Sequence, residues 1–318
     1  MKRKDGLKTG ALIADAEKSP FFHIAIVALL AIGLSSLPID KLFTRSLGEG
    51  NAYLLGGALI RLLLFAAAVV LSFKYGFDKP YKTSGGFARY ALIFPLLLVV
   101  VNNFPLLPIF SGNAGLTADG TRAALYILYC FSVAAFEETV FRGIIFPLSY
   151  IALKNKPKRL FWSAVLSSAV FALAHIFNLF AGAGFGATIL QIGYSFLIGG
   201  LCAVSLIAVK NIYVPVIFHF IYDLGGFFCD EKIGVAGCAR WDTVTVVLTA
   251  VLGVIVCAYT VILAIKLEKS QIENPFSDER SAETEQTERT SAGEKTDEER
   301  KKTEKTGESP NDDRSGTV

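Results

Sequence analysis

The chain has no Asp, Glu, Lys or Arg anywhere between Leu160 and Val209. A charge-free run of that length exceeds any single core helix, which excludes an ordinary soluble domain and leaves a polytopic membrane protein. Histidine is scarce, three in 318 residues, and no HExxH stretch occurs. That absence removes the commonest signature of a zinc hydrolase helix. The five cysteines are scattered, and their spacing fits no zinc ribbon. Cys130, Cys202 and Cys257 lie within apolar runs and read as packing residues, and no histidine neighbours any cysteine in a catalytic pattern. Cys229 and Cys238 share the stretch "CDEKIGVAGCARWD" and would pair if that loop faces an oxidising compartment.

What is present is apolar sequence: 53% hydrophobic residues and a mean hydropathy of +0.49. The expected fold is all-α, a polytopic transmembrane bundle of about eight spans, each near the roughly 20 residues that cross a bilayer. They fall near 21–38, 53–73, 90–110, 123–150, 160–180, 185–209, 212–228 and 243–265. The expected organisation is a cytoplasmic segment 1–20, helices through 118, a core at 119–228, an outer loop and last span at 229–266, and a polar tail at 267–318. Residues 268–318 hold fifteen acidic and nine basic residues with almost no large apolar side chain. Such a segment buries too little surface to offset chain entropy and is expected to be disordered.

The rest of the chain is basic, with twenty-two bases against thirteen acids, which suits a membrane-facing cytoplasmic surface and gives no reason to invoke nucleic acid. Inner loops carry nine Lys or Arg under an N-in, C-in arrangement, and outer loops carry five. His23, at the start of the first span, reads as interfacial.

Against this background two stretches stand out, "FSVAAFEETVFRG" at 131–143 and "FHFIYDLGG" at 218–226. Charged side chains at bilayer depth cost on the order of 2.5–3.5 kcal/mol each. Glu137, Glu138, Arg142 and Asp223 repeat that cost, with His175 and His219 beside them in apolar runs, which favours function over a cluster that merely locks helices. Glu138 and Arg142, four apart, share a helix face and can pair. Glu137 points about 100° away and is free to face a cavity. His219 and Asp223 are also four apart, and His175 and Asn178 three apart. A desolvated carboxylate beside imidazoles suits activation of water, with the partner groups donating to an oxyanion. Glu137, His175, His219 and Asp223 are also acceptable zinc ligands, but two histidines on separate helices are a weaker metal signal, so the expectation is a metal-free site with zinc as the alternative.

These residues resemble a known family. "EETVFRG" looks like an EExxxR motif, "FALAH" like FxxxH and "HFIYD" like HxxxN/D, in that order and each in an apolar run. Together they are similar to the CPBP intramembrane proteases: type II CAAX prenyl endopeptidases and bacterial relatives grouped as abortive-infection or bacteriocin-processing proteins. The resemblance spans about residues 121–228. It implies an endopeptidase acting on a membrane-associated peptide or lipidated protein among membrane lipids, with Glu137 as water-activating base, His175 positioning that water, and His219 with Asp223 on the oxyanion side. Glu138 and Arg142 would be structural or substrate-orienting, and Phe171 of the second motif would pack beside His175. Prenyl-processing members usually carry Asn where this chain has Asp223, and an ionised Asp cannot donate a hydrogen bond.

Two other functions use the same residues. A proton-coupled transporter also needs intramembrane Glu, His and Asp, but residues 1–120 hold no second copy of either pattern, against the internal repeat many transporters show. A non-catalytic immunity or scaffold protein on this fold cannot be told from an enzyme by sequence. Gly186, Gly193 and Gly200 form a small-residue stripe expected to pack a neighbouring helix, and Pro147 and Pro215 are expected to bend their spans.

Overall fold

The computed structural model describes residues 9–82, 86–238, 243–270 and 274–276. All of these lie in the compact unit that ends at residue 277, and the polar tail expected beyond it lies outside the described residues. Eleven α-helices follow one another among the described residues: α1 (Thr9–Lys18), α2 (Pro20–Ser35), α3 (Thr44–Lys74), α4 (Phe94–Asn102), α5 (Leu106–Phe110), α6 (Gly120–Val140), α7 (Phe146–Ala152), α8 (Arg159–Ala174), α9 (Phe185–Val209), α10 (Tyr213–Gly226) and α11 (Thr243–Ser270). Among the described residues the only pairing of strands is a two-residue antiparallel contact of 115–116 with 236–237.

Every expected apolar run is helical, but they are not eight equal spans. Among the described residues six helical segments are long and apolar enough to cross a membrane: 20–42, 44–74, 120–152, 159–179, 185–209 and 243–270. The expected third span is broken at Pro105, because a proline cannot continue the backbone ladder, and its apolar helix covers only 88–102. The expected seventh, α10, has 14 residues. It begins where the Asn211 side chain accepts from the Tyr213 N–H at 2.9 Å, and ends at Gly226, with Gly225 in its last turn. A Cβ there would lie 2.7 Å from the Phe104 backbone nitrogen, so only glycine lets α10 close against that turn. The Asn103 amide donates to the Tyr222 carbonyl at 2.6 Å and the Tyr126 hydroxyl to that of Leu224. A helix too short to span is thus held at depth by its neighbours.

The central helix is α6, packed against α3 and α10. It begins with Asp119 capping the Arg122 N–H at 2.7 Å. It then passes through one π-helical turn, Phe141–Ile145, into α7. Pro147 is the cause: without an N–H it cannot satisfy the Gly143 carbonyl. Ser72 of α3 donates to that carbonyl instead, at 2.9 Å, and Ser167 of α8 donates to the Phe141 carbonyl at 2.9 Å. The wide turn is therefore fixed from two sides, and it carries Arg142.

Several expectations are corrected. The glycine stripe of α9 does not pack: a Cβ at Gly186 or Gly193 would meet nothing within 4 Å, and one at Gly200 only the Ser168 hydroxyl, at 4.0 Å. Gly199 is the close-packing glycine, since its Cβ would lie 3.1 Å from both the Ser168 Cβ and Arg142 Nη2. Gly199→Ala is expected to destabilise by about 1–3 kcal/mol through overpacking, measured as a lower melting temperature in detergent, whereas Gly193→Ala should leave it unchanged. His23 is buried rather than interfacial, with Nδ1 2.7 Å from the Tyr75 hydroxyl and Nε2 3.2 Å from Asp15. Ordered chain runs past the expected boundary at 267: α11 continues to Ser270, the Asn274 carbonyl accepts from Lys79 Nζ at 2.9 Å, and Phe276 is buried against Phe146 and Tyr150. Cys229 and Cys238 are joined as a disulfide, with Cα atoms 5.5 Å apart.

Candidate active site

The two stretches that seemed misplaced meet in space. His219 of α10 puts Nδ1 2.7 Å from Glu138 Oε1, while Arg142 Nε lies 3.1 Å from Glu138 Oε2. Both members of that ion pair are fully buried. The Arg142 guanidinium also lies over the Phe171 ring, 4.5 Å from its centre, a cation–π contact that partly replaces lost hydration. Glu138 is thus held from two sides, by its own helix and by α10.

The other face of His219 meets the remaining acids. Its Nε2 is 3.6 Å from Asp223 Oδ1 and 3.8 Å from Glu137 Oε2. Glu137 differs from its neighbour in the way a 100° turn of helix dictates. Its side chain is 23% exposed and, among the described residues, it makes no hydrogen bond. It is the most exposed acidic side chain of the cluster, since Asp223 is 10% and Glu138 0% exposed.

His175 arrives from α8. The α-helix ends at Ala174 and tightens into a 3-10 turn at 175–179, so the His175 backbone N–H turns to the Ala172 carbonyl. The Phe171 carbonyl, relieved of that amide, takes the ring instead: Nδ1 lies 3.0 Å away. A carbonyl only accepts, so Nδ1 carries the hydrogen and Nε2 of the neutral ring is left as an acceptor. Phe171 stands edge-on to both imidazoles, with ring centres 5.1 Å from His175 and 5.9 Å from His219. Phe171 therefore packs beside His175, and its ring also touches His219. Asn178 goes elsewhere, donating to Gln191 of α9 at 2.8 Å.

One charged residue at this depth stands outside all three motifs. Arg61 lies midway along α3, with its guanidinium 5.3 Å above the Tyr129 ring. Its signal in the sequence is a lone cation in "GGALIRLLLF".

Zinc was the alternative occupant. Among the described residues no three His, Cys, Asp or Glu side chains are gathered in a way that could hold a metal ion. The donors as placed do not form a zinc ligand set, and no step below passes through a metal.

An all-helical membrane protein with a buried carboxylate–imidazole cluster at the junction of three helices belongs to the class of intramembrane enzymes and proton-handling proteins. Residues 119–225, about a third of the chain, match the family model described as Type II CAAX prenyl endopeptidase Rce1-like. The match covers every residue of the three motifs, and it supports a likeness of this segment to the CPBP family of intramembrane proteases. Comparison with curated proteins gives no match, and comparison with solved structures gives none.

Proposed function

We propose that the protein is an intramembrane endopeptidase that hydrolyses a peptide bond in a prenylated or otherwise membrane-associated substrate. Glu137 is the base. It takes a proton from water, and the hydroxide attacks the scissile carbonyl. The carboxyl then returns the proton to the departing amine as the peptide bond breaks. His175, whose free Nε2 accepts, holds the attacking water. With Nδ1–H already given to Glu138, His219 donates to the oxyanion from Nε2 as the imidazolium, the form that the surrounding Glu137, Glu138 and Asp223 carboxylates favour. Asp223 orients that ring, a task an ionised acid can perform and one that does not require it to donate. The observation that carries this reading is the asymmetry of the two adjacent glutamates: one locked by Arg142 and His219, the other partly exposed and, among the described residues, without a hydrogen bond. The N-in, C-in orientation, which puts the basic loops inside and the Cys229–Cys238 disulfide outside, requires that the shorter helices 88–102 and α10 complete the third and seventh crossings together with their adjoining turns.

The reading is tested with a prenylated peptide in proteoliposomes. Cleavage should depend on Glu137 and persist in excess zinc chelator. Activity that falls with chelator and returns on adding zinc would move the mechanism to a metal. The transporter alternative predicts proton flux instead of cleavage.

A further inference from the structure

We infer that Tyr126 is a positioning residue: its hydroxyl sets the helix that carries Glu137 against the helix that carries His219 and Asp223. The inference rests on the protease reading above, and one half of its test needs no substrate.

α10 ends at Gly226, so the carbonyls of its last turn have no partner one turn further along a helix. The chain beyond supplies two of them. The Asp223 carbonyl accepts from the Phe227 N–H at 2.9 Å, and that of Gly225 from the Phe228 N–H at 3.4 Å. Leu224 lies between, and its carbonyl takes the Tyr126 hydroxyl. That donor stands on α6, the helix of Glu137. Tyr126 is 3% exposed and packs with Leu54, Val133 and Ile233. A polar group stranded there would be costly, so the bond is a firm one. Asn103 meets the neighbouring Tyr222 carbonyl from the other side, at 2.6 Å. The turn that bears Asp223 is thus held from two directions, and of these two donors Tyr126 is the one that ties it to the helix of the base.

The bond lies where it governs the site. Tyr126 and Glu137 are eleven residues apart, which at ~100° per residue is three turns and about 20°. Both side chains therefore leave α6 in nearly the same direction. On α10 the pinned carbonyl is next to Asp223, and His219 lies one turn back. The other ties between these elements hold register less well or belong to the chemistry itself. Phe131 meets Phe220 edge-on, with ring centres 5.8 Å apart, a contact that tolerates sliding. Arg122 grips the Lys232 and Gly234 carbonyls at 2.7 and 3.0 Å, in the loop after α10 rather than in the helix. His219 to Glu138, at 2.7 Å, is the geometry to be kept. A misplacement of about 1 Å costs on the order of 10²-fold in rate, so the register of α6 against α10 is a catalytic quantity.

Tyr126→Phe deletes the hydroxyl and keeps the ring. With purified protein in liposomes and a prenylated peptide, kcat for Glu137-dependent cleavage should fall roughly 10- to 100-fold, with KM within about twofold of wild type. Tyr129→Phe is the matched control: it removes a hydroxyl of the same helix that faces Tyr53 of α3 at 3.5 Å, and kcat should not change. The second measurement is nuclear magnetic resonance of isotope-labelled histidine rings, tractable because the chain has three. The His219 Nδ1–H signal, assigned by its loss in His219→Gln, should shift or broaden in Tyr126→Phe and stay in place in Tyr129→Phe. A wild-type kcat in Tyr126→Phe would overturn its role while leaving the protease intact. A lower kcat with an unmoved His219 signal would do the same, and would make the hydroxyl a matter of folding, read as a lower melting temperature. Absence of any Glu137-dependent cleavage would remove the protease reading. A displaced His219 signal would then still support Tyr126 as the register pin, and an unmoved one would remove both.

Discussion

Glu137→Gln is expected to lower peptide cleavage by about 10²- to 10⁴-fold, the usual contribution of a positioned general base, while melting at the wild-type temperature. The two halves of that result have separate causes. Glutamine keeps the shape of the side chain but cannot take a proton from water. Stability should hold because Glu137 makes no hydrogen bond among the described residues and its nearest charged partner, His219 Nε2, is 3.8 Å away. Glu138→Gln inverts the pattern. That carboxylate holds both the 3.1 Å contact to Arg142 and the 2.7 Å contact to His219, so its loss should disturb the fold as well as the rate. Measuring initial rates and melting curves on the same preparations distinguishes the two glutamates, and a Glu137 variant as active as wild type would end its role as base.

Arg142→Met should be among the most destabilising single substitutions in the molecule, by about 3–5 kcal/mol, because it strands a buried carboxylate. Nothing else surrounding Glu138 replaces the guanidinium; His219 already uses Nδ1 there. The wide turn at 141–145 was built around this side chain, with Phe171 below it and Gly199 small enough to let α9 pass 3.1 Å from Nη2. The sharper form of the prediction is non-additivity. Glu138→Gln combined with Arg142→Met should be more stable than Arg142→Met alone, since the double change leaves no unpaired charge. Chemical denaturation in detergent micelles measures both, and a double variant less stable than the single would show that the ion pair is not what holds these helices.

Much of this was readable from residue spacing. Runs of apolar residues marked the long helices, and a separation of four placed Glu138 beside Arg142 and His219 beside Asp223, because local periodicity is set by the helix itself. What could not be read depends on contacts between distant segments. The bond from His219 to Glu138 joins residues 81 apart. The π turn at 141–145 survives only because Ser72 and Ser167 satisfy its carbonyls, and no pattern within "TVFRGIIFP" announces that. His175 lies at the end of its α-helix rather than inside it, since the chain tightens after Ala174 and the ring caps the Phe171 carbonyl. Phe276 follows a polar stretch, yet it docks into an aromatic niche formed by Phe146 and Tyr150. Arg61 was visible as a charge in an apolar run, but the aromatic ring beneath it needed α3 laid against α6.

The central claim is that the open carboxylate of α6 and the imidazole at the end of α8 share one body of water. Paired cysteines test it without any substrate: Glu137→Cys with His175→Cys, in a background where Cys130, Cys202 and Cys257 are replaced and the Cys229–Cys238 disulfide is kept. Each single cysteine should react with a small water-soluble thiol reagent, a cysteine at 138 should not, and the 137/175 pair should be joined by a short bifunctional reagent. Failure of the pair to cross-link while each partner labels alone would place the two groups in separate environments and contradict the account.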